Sequence, residues 1–364
     1  MLNFAVGPVP EDNGVLNIGS EPTPYFRTSE FSQMMLENER LLCAFAHAPK
    51  GSRAVFLSNS GTGAMEAAVM GTLDPVCDRA LVVDGGSFGH RFKELLTIHN
   101  VPNKAIELPY GSVLTAKDLA QYEGMGYTAF LVNLGETSQG TLYDAKLIGD
   151  FCLRNHLFLI VDGISSFLAD PFHMEAMNVG VLITDSQKAL ACPPGIAPMV
   201  LAPDAIERIS RIEPRSMYFN LRDLLKNGER GQTPFTPAVG ILRQINLRLR
   251  HIQNCGGEEA EVEHCGEIAK DFRRRVSNAQ LPLEMRLISP SNAVTYVKTR
   301  GFSATRVFEI LKDEYGIWIC PNGGDEAETS FRVGHIGAHQ ISDNELLVAA
   351  LIDLHRRGFM DAEG

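Results

Sequence analysis

The sequence predicts an α/β protein whose larger part is a mainly parallel sheet flanked by helices. Between residues about 50 and 205, short apolar runs alternate with longer segments of helical periodicity. Consecutive apolar positions, as opposed to alternating ones, are typical of strands buried on both faces. Ligands of such sheets bind at the carboxyl ends of the strands, so the residues after each run are site candidates. The runs are Ala54–Leu57, Ala80–Val83, Ala129–Val132, Phe158–Val161 and Val181–Thr184.

The last third of the chain predicts a smaller α+β unit. A long helical stretch covers residues about 236–275, and strand-like and helical segments then alternate up to a closing helix near Asp343–Arg357. A chain of 364 residues has room for one large and one smaller domain. We therefore predict an N-terminal segment over residues 1–20, a large domain over 21–240 and a small C-terminal domain over 241–364.

Composition and charge narrow the classes of function. Apolar residues make up 45% of the chain and charged residues 21%, as in ordinary globular proteins. The formal net charge is −11 and no long Lys/Arg run is visible, so we expect no nucleic-acid partner. No apolar run approaches the roughly 20 residues of a membrane span, and the first residues lack a signal-peptide pattern. The sequence therefore predicts a cytoplasmic protein with no membrane partner.

The cysteines favour reduced thiols over a disulfide framework, since they are scattered and never spaced C-x-x-C. Cys255, His264 and Cys265 are close in sequence, but a second close-spaced ligand pair is missing. We therefore expect no metal site. The seven are Cys43, Cys77, Cys152, Cys192, Cys255, Cys265 and Cys320.

The first candidate site follows the first apolar run, where small residues lead into a predicted helix. Amides at a helix N-terminus, with the hydroxyls of Ser60 and Thr62 on either side of Gly61, suit a dianionic phosphate. A tight strand-to-helix turn without a ligand uses the same residue types. Glu66 stands where a G-x-G-x-x-G motif has its third glycine, which disfavours a dinucleotide site.

The second candidate is Asp162, a carboxylate at the end of the apolar run Phe158–Val161. A buried carboxylate needs a cationic partner or hydrogen-bond donors. A protonated pyridine nitrogen is such a partner, and the pairing would make the ring a better electron acceptor. The alternative is a helix N-cap ahead of Ile164.

The third candidate is Lys188, in the segment TDSQKALACPPG that begins at Thr184. A lysine among small and polar residues is suited to forming an imine if its ammonium loses a proton easily. The alternative is a solvated surface lysine. The strand that precedes Lys188 and the strand that ends at Asp162 are successive units, so we expect both side chains at one end of the sheet.

These residues, in this order, resemble the class V aminotransferases of fold type I, which use pyridoxal 5′-phosphate (PLP). The similarity extends from FAVGPV at residues 4–9 to FRVGHIG at residues 331–337. The opening segment, Pro24–Thr28 and Glu314–Gly324 are most similar to the branch of the 2-aminoethylphosphonate–pyruvate transaminases. The resemblance implies ping-pong transfer of an amino group from 2-aminoethylphosphonate, or a small amino acid such as alanine or serine, to pyruvate or glyoxylate.

The resemblance also implies roles for individual residues. Lys188 would hold PLP as a Schiff base and move the catalytic proton, while Asp162 would pair with the ring nitrogen. Phe88 would stack on the pyridine ring. The phenolic oxygen would face Thr137 or Ser138. Ser60, Gly61 and Thr62 would hold the phosphate, and Gln187 would contact the phosphate or the ring.

The resemblance further implies a homodimer whose active sites are shared across the interface. Arg332 would bind the substrate carboxylate or phosphonate, because a guanidinium matches such anions bidentately. The segment Gly231–Pro234 resembles the part of the family that reaches the phosphate of the neighbouring subunit. Tyr25 and Arg27, as substrate-binding residues, and Thr233 would contribute across the interface.

The sequence departs from the family beside these segments. Gly163 replaces the alanine or serine usual after the ring aspartate, and Asp185 stands where a glycine is common. Asn59 and Gly135 are also unusual at their positions. Asp185 adds a negative charge near the cofactor lysine, which leaves open a lyase or other diverted PLP chemistry.

Three other functions agree with only part of the sequence. A cysteine desulfurase needs a mobile nucleophilic cysteine, for which Cys320 is the candidate, and usually has a histidine where this chain has Phe88. A nicotinamide-dependent oxidoreductase needs the glycine motif. A cofactor-free binding protein would leave Lys188, Asp162 and Arg332 without a common purpose.

Overall fold

The structure, a computed structural model, describes residues 1–361. Within this range the strands are β1 (Leu2–Phe4), β2 (Arg53–Leu57), β3 (Ala80–Asp84), β4 (Asn103–Glu107), β5 (Ala129–Asn133), β6 (Gly135–Glu136), β7 (Thr141–Leu142), β8 (Phe158–Asp162), β9 (Val179–Ile183), β10 (Ala197–Leu201), β11 (Leu283–Met285), β12 (Val294–Thr299), β13 (Ile317–Pro321) and β14 (Ser330–Gly334). The helices are α1 (Asn13–Gly19), α2 (Ser29–Phe45), α3 (Gly61–Thr72), α4 (Ser87–Ile98), α5 (Ala116–Ala120), α6 (Ala145–Arg154), α7 (Pro203–Arg211), α8 (Leu221–Gly228), α9 (Val239–Asn254), α10 (Gly257–Ala279), α11 (Ala304–Tyr315) and α12 (Ile341–Arg356).

A seven-stranded sheet with the order β2-β10-β9-β8-β5-β3-β4 forms the centre of the larger layer. Strand β10 is antiparallel to both of its neighbours, and the remaining pairs are parallel. Alternate residues of β5 belong to two apolar clusters, Phe130 to one and Leu131 to the other. Because consecutive residues of a strand point to opposite faces, both faces of the sheet are covered. This confirms the predicted sheet flanked by helices.

The five apolar runs predicted as strands are β2, β3, β5, β8 and β9, with ends that differ by at most two residues. Every residue of β5, β8 and β9 is buried. The continuous apolar pattern therefore arises from burial on both faces, as expected for the interior of a mainly parallel sheet.

A second sheet, with the order β1-β13-β14-β12-β11, forms the smaller layer. Strand β1 pairs in parallel with β13, so that Leu2 lies opposite Ile317, while the other pairs are antiparallel. Helices α10, α11 and α12 contribute Phe272, Val307 and Leu351 to its core. The domain boundaries stay predictions, but β1 completes a sheet that the last third of the chain forms.

The helical stretch predicted over residues 236–275 consists of two helices, α9 and α10. The chain turns between them at Gly256 and Gly257, whose φ values are +110° and +83°. Glycine adopts such values without the clash that a Cβ would cause. Helix α9 packs against α1 and α2, on the side of the larger sheet.

The segment between β1 and α1 connects the two sheets. The N–H of Val9 donates to the carbonyl of Gln187 (3.3 Å), and the N–H of Ala338 donates to the carbonyl of Pro10 (2.9 Å). A Cβ at Gly7, where φ is +143°, would lie 2.6 Å from Nζ of Lys188. Gly7 thus lets the backbone pass directly against the lysine side chain.

Among residues 1–361, no helix has the length and apolar character needed to cross a membrane. In the same range, His, Cys, Asp and Glu side chains form no group of three or more that could hold a metal ion. Cys265 is buried and Cys255 is exposed.

Candidate active site

Lys188 lies in the turn that follows β9, and its amine is enclosed by both layers of the protein. Its Nζ donates to the carbonyl oxygen of Val6 at 2.7 Å. Burial lowers the pKa of Lys188, an effect that the nearby carboxylates of Asp185 and Asp162 oppose. An amine with a lowered pKa loses its proton more easily, as imine formation requires.

Asp162 is the last residue of β8 and is 1% exposed. Its Oδ1 accepts the N–H of Ile164 (2.8 Å), and its Oδ2 accepts the side-chain amide of Asn133 (3.0 Å). Burial raises the pKa of Asp162 to about 6, although these two donors favour the ionised form. Residues 164–169 form turns, so Asp162 does not cap a helix. Its carboxylate would gain from a cation bound beside it.

The parallel pairing of β8 and β9 brings Asp162 and Lys188 to one end of the sheet. Asp162 lies opposite Ile183, the last residue of β9, five positions before Lys188. Each of the two groups influences the pKa of the other. The predicted arrangement of these two side chains is therefore present in the structure.

The predicted phosphate segment forms the start of α3. Ser60 is the N-cap residue, yet its hydroxyl makes no capping hydrogen bond, and it is exposed. Gly61 is the first residue of α3, and its N–H donates to Oδ2 of Asp185 at 2.7 Å. The side-chain amide of Gln187 donates to the same oxygen at 2.6 Å. Gln187 and Gly61 are thus joined through Asp185, whose contact with α3 the sequence did not predict.

Glu136 forms hydrogen bonds on the side of the site that contains Phe88. Its buried carboxylate accepts the N–H of Gly89 (3.1 Å) near the start of α4 and the hydroxyl of Ser138 (2.5 Å). Burial raises the pKa of Glu136. Phe88 is half-buried, and the guanidinium of Arg91 lies 5.0 Å from the centre of its ring.

The two predicted hydroxyls point to different partners. Ser138 donates to Glu136, whereas Thr137, which is buried, donates to Oγ of Ser165 at 2.8 Å. Thr137 is therefore held to the turn that follows Asp162, and Ser138 is held to the start of α4.

Arg332 extends from β14 of the small sheet towards the large one. It donates to the carbonyls of Thr137 (3.4 Å) and Pro321 (3.2 Å), both long contacts. Its Nε is buried and has no hydrogen-bond partner within residues 1–361. Arg332 also lies close enough to lower the pKa of Lys188. The guanidinium thus retains donors for an anion near the lysine.

Arg27 and Thr233 are in contact, and Tyr25 lies two residues before Arg27 in the sequence. Arg27 donates to the side chain of Gln232 (3.0 Å) and the carbonyl of Thr233 (2.8 Å). Tyr25 is 69% exposed. Their hydrogen bonds in the described part of the chain do not reach Lys188 or Asp162.

Sequence reasoning missed four participants: the Val6 carbonyl, Asn133, Glu136 and the contact of Asp185 with α3. A polar residue that ends the apolar run Ala129–Val132 could have indicated Asn133. Val6 acts through its backbone, so its side chain carries no signal. Asn59, noted as unusual, has both amide atoms buried without a partner in residues 1–361.

The polar groups of the site fit PLP. A buried amine of lowered pKa can form the imine, and the Asp162 carboxylate can pair with a protonated ring nitrogen. The amide of Asn59, which has no partner within residues 1–361, and the exposed hydroxyl of Ser60 beside α3 offer donors for a phosphate, and the free Nε of Arg332 offers one for a substrate anion. Phe88 presents an aromatic surface on the same side as Glu136.

Comparison with known proteins agrees with this arrangement. Residues 23–331 match the family model of the class-V aminotransferases. An uncharacterized aminotransferase of Helicobacter pylori strain J99 is 30% identical, over 99% of this chain and 96% of its own. The L-aspartate–glyoxylate aminotransferase of Paracoccus denitrificans is 28% identical, over 78% of this chain and 74% of its own. The crystal structure of an aspartate aminotransferase from Thermus thermophilus matches with a TM-score of 0.90 and 25% identity, and the match covers 98% of this chain and 99% of that one.

Fold and site together define a PLP-dependent enzyme of fold type I. The chain belongs to the class V aminotransferase family, and it is a PLP-dependent transaminase.

Replacing Asp162 with asparagine should stabilise the cofactor-free protein at neutral pH. The carboxyl has a pKa of about 6 in the folded protein and 3.8 as a reference, so the wild type loses stability as pH rises through that interval. The loss amounts to at most about 3 kcal/mol. Oδ1 of Asn133 has no partner within residues 1–361, so the Asn133 amide can turn over and accept the new amide through this oxygen. Urea unfolding at weakly acidic and neutral pH measures the difference, and a pH-independent difference would contradict the assignment.

Proposed function

We propose that the protein transfers an amino group from a small amine to a 2-oxo acid by a ping-pong mechanism. The donor is 2-aminoethylphosphonate or a small amino acid such as alanine or serine, and the acceptor is pyruvate or glyoxylate. The observation that carries the proposal is the buried amine of Lys188, with Asp162 and the incompletely bonded Arg332 both near it. The similarity to an L-aspartate–glyoxylate aminotransferase supports a 2-oxo acid of this size.

The cofactor and three side chains divide the tasks of this mechanism. Bound PLP supplies an aldehyde that forms imines with amines and a ring that accepts the electron pair of a breaking Cα–H bond. Lys188 would hold the cofactor through Nζ, and the same atom would move the proton that leaves the donor Cα. Asp162 would keep the ring nitrogen protonated, and Phe88 would cover one face of the ring.

Arg332 selects the substrate by charge. Its free donors match a carboxylate or a phosphonate, and the long contacts to the Thr137 and Pro321 carbonyls can yield to a stronger, charged acceptor. Because Arg332 projects from the small sheet, the distance between the sheets sets the length of substrate that fits.

The position of Cys320 disfavours a desulfurase. Cys320 lies within β13, in register with Arg332 of β14. A thiol on a hydrogen-bonded strand cannot move across the site as a mobile nucleophile would.

We also infer that two copies of the chain form the active sites together. Exposed apolar side chains lie beside Thr233, among them Phe235 at 37% exposure and Tyr218 at 48%. Tyr218 stacks on Phe235 with ring centres 5.7 Å apart, and its hydroxyl donates to the Ser58 carbonyl at 2.9 Å. Apolar surface next to a predicted phosphate site is suited to a subunit interface.

Replacing Lys188 with alanine should lower turnover at least about a thousandfold, because no other group moves the proton at Cα. The wild type should release one equivalent of oxo product per site from the donor alone, as a ping-pong mechanism requires. Product release and the absorption spectrum are measured with 2-aminoethylphosphonate, alanine and serine as donors. Lys146→Ala, at an exposed lysine, is the matched control. Appreciable steady-state activity in Lys188→Ala would refute the mechanism.

Replacing Arg332 with lysine should reduce kcat/KM about 10- to 100-fold, mainly through KM, because lysine cannot bind an anion bidentately. Steady-state kinetics with each donor and acceptor test this. Arg300→Lys makes the same change at an exposed position and should behave as the wild type. An unchanged KM in Arg332→Lys would exclude Arg332 from substrate binding.

Replacing Phe235 with aspartate should dissociate the dimer, since it introduces a charge into an apolar contact surface. Sedimentation velocity should report the monomer mass together with a loss of activity. Val76→Asp, which changes an 89% exposed valine after α3, is the control and should leave the mass unchanged. A Phe235→Asp protein that remains a fully active dimer would place the interface elsewhere.

A further inference from the structure

Asp185 occupies the N-terminus of α3. Its Oδ2 accepts the N–H of Gly61 at 2.7 Å and the Gln187 amide at 2.6 Å, and its Oδ1 accepts the N–H of Ser186 at 3.1 Å. The residue is 2% exposed. A buried carboxylate is therefore bonded to the helix end that also lies beside Ser60 and Thr62.

This position conflicts with the proposed site of the cofactor phosphate. A helix N-terminus has few free amides, and its partial positive charge stabilises one nearby anion. A phosphate dianion at Ser60 and Thr62 would lie close to the Asp185 carboxylate, and the two negative charges would repel each other.

Among residues 1–361, Lys188 is the cation that acts on Asp185, and its amine also acts on Asp162, so little positive charge remains to offset a second anion. The side chain of Ile164, in the turn after β8, lies 2.4 Å from the position that a Cβ at Gly61 would take. Gln187 and Asn59 are neutral. Burial raises the pKa of Asp185, so protonation is the easier way to remove the repulsion.

We propose that Asp185 takes up a proton when the phosphate of PLP binds at the α3 N-terminus, and that the neutral acid then donates its O–H to a phosphate oxygen. One proton passes from solvent to the carboxylate as the phosphate docks, and it returns to solvent when the cofactor leaves. No covalent bond to the phosphate forms or breaks. The inference rests on the proposed position of the phosphate.

The consequence is an affinity for the phosphate group that depends on pH through Asp185. At pH values at which Asp185 is already protonated in the free protein, binding takes up no proton. Above that range, each pH unit should weaken binding up to about tenfold relative to a protein without the carboxylate.

The probe is pyridoxamine 5′-phosphate, which lacks the aldehyde and forms no imine with Lys188. Its dissociation constant is measured on cofactor-free wild type and Asp185→Asn from weakly acidic to weakly alkaline pH. Asparagine imitates the protonated acid, because it can accept from Gly61 and donate to the phosphate. Ionisation of the probe affects both proteins equally, so the ratio of the two constants reports Asp185. We expect Asp185→Asn to bind at least about tenfold more tightly at alkaline pH and equally at acidic pH.

Asp170→Asn is the matched control. Asp170 is a buried carboxyl that bonds to Ser291 and to the N–H of Asn292, away from α3. The ratio of the dissociation constants of Asp170→Asn and the wild type should not change with pH. Asp185→Ser, with folding of both variants checked by circular dichroism, should reproduce the loss of the pH effect.

Parallel pH profiles in wild type and Asp185→Asn would overturn the proposal, as would weaker binding by Asp185→Asn at every pH. A wild type that binds the probe at no pH would instead overturn the proposed cofactor site, and the role of Asp185 with it.

Discussion

A buried amine needs neighbours that tolerate it both charged and neutral, and the position of Lys188 meets this constraint. The Val6 carbonyl can accept a hydrogen bond from either form. Asp162 and Asp185 favour the charged form, while burial and Arg332 favour the neutral one. These groups come from the N-terminal segment, the large sheet and the small sheet. The chemistry at Nζ therefore depends on how the two sheets are held together, and the pairing of β1 with β13 is part of that connection.

The large sheet and the pairing of Asp162 with Lys188 could be predicted from sequence because both follow from local pattern and strand order. A strand buried on both faces is apolar at consecutive residues, as Phe158–Val161 shows. Parallel neighbours then end at the same edge, so two polar residues that follow successive strands must lie close together. Neither inference needs knowledge of side-chain contacts, and the predicted strand ends lie within two residues of those observed.

The remaining features depend on tertiary neighbours that a local pattern does not encode. Strand β1 is three residues long, too short for a periodicity, and its partner Ile317 lies near the other end of the chain. The break between α9 and α10 requires the backbone conformation of Gly256 and Gly257. The bond from Gly61 to Asp185 joins residues 124 positions apart. The resemblance marks Asp185 as unusual, but only its position in the structure shows what the carboxylate contacts.

The two ends of the cofactor pose opposite electrostatic problems for this site. At the ring end, Asp162 is destabilised by burial and gains from a positive ring nitrogen, so binding relieves a cost already present in the free protein. At the phosphate end, Asp185 is already bonded to the helix, so a further anion adds to the negative charge there. Since both carboxylates act on one lysine, a change in the protonation of either alters how easily Lys188 loses its own proton. The charge at position 185 therefore belongs to the same linked system as the amine of Lys188.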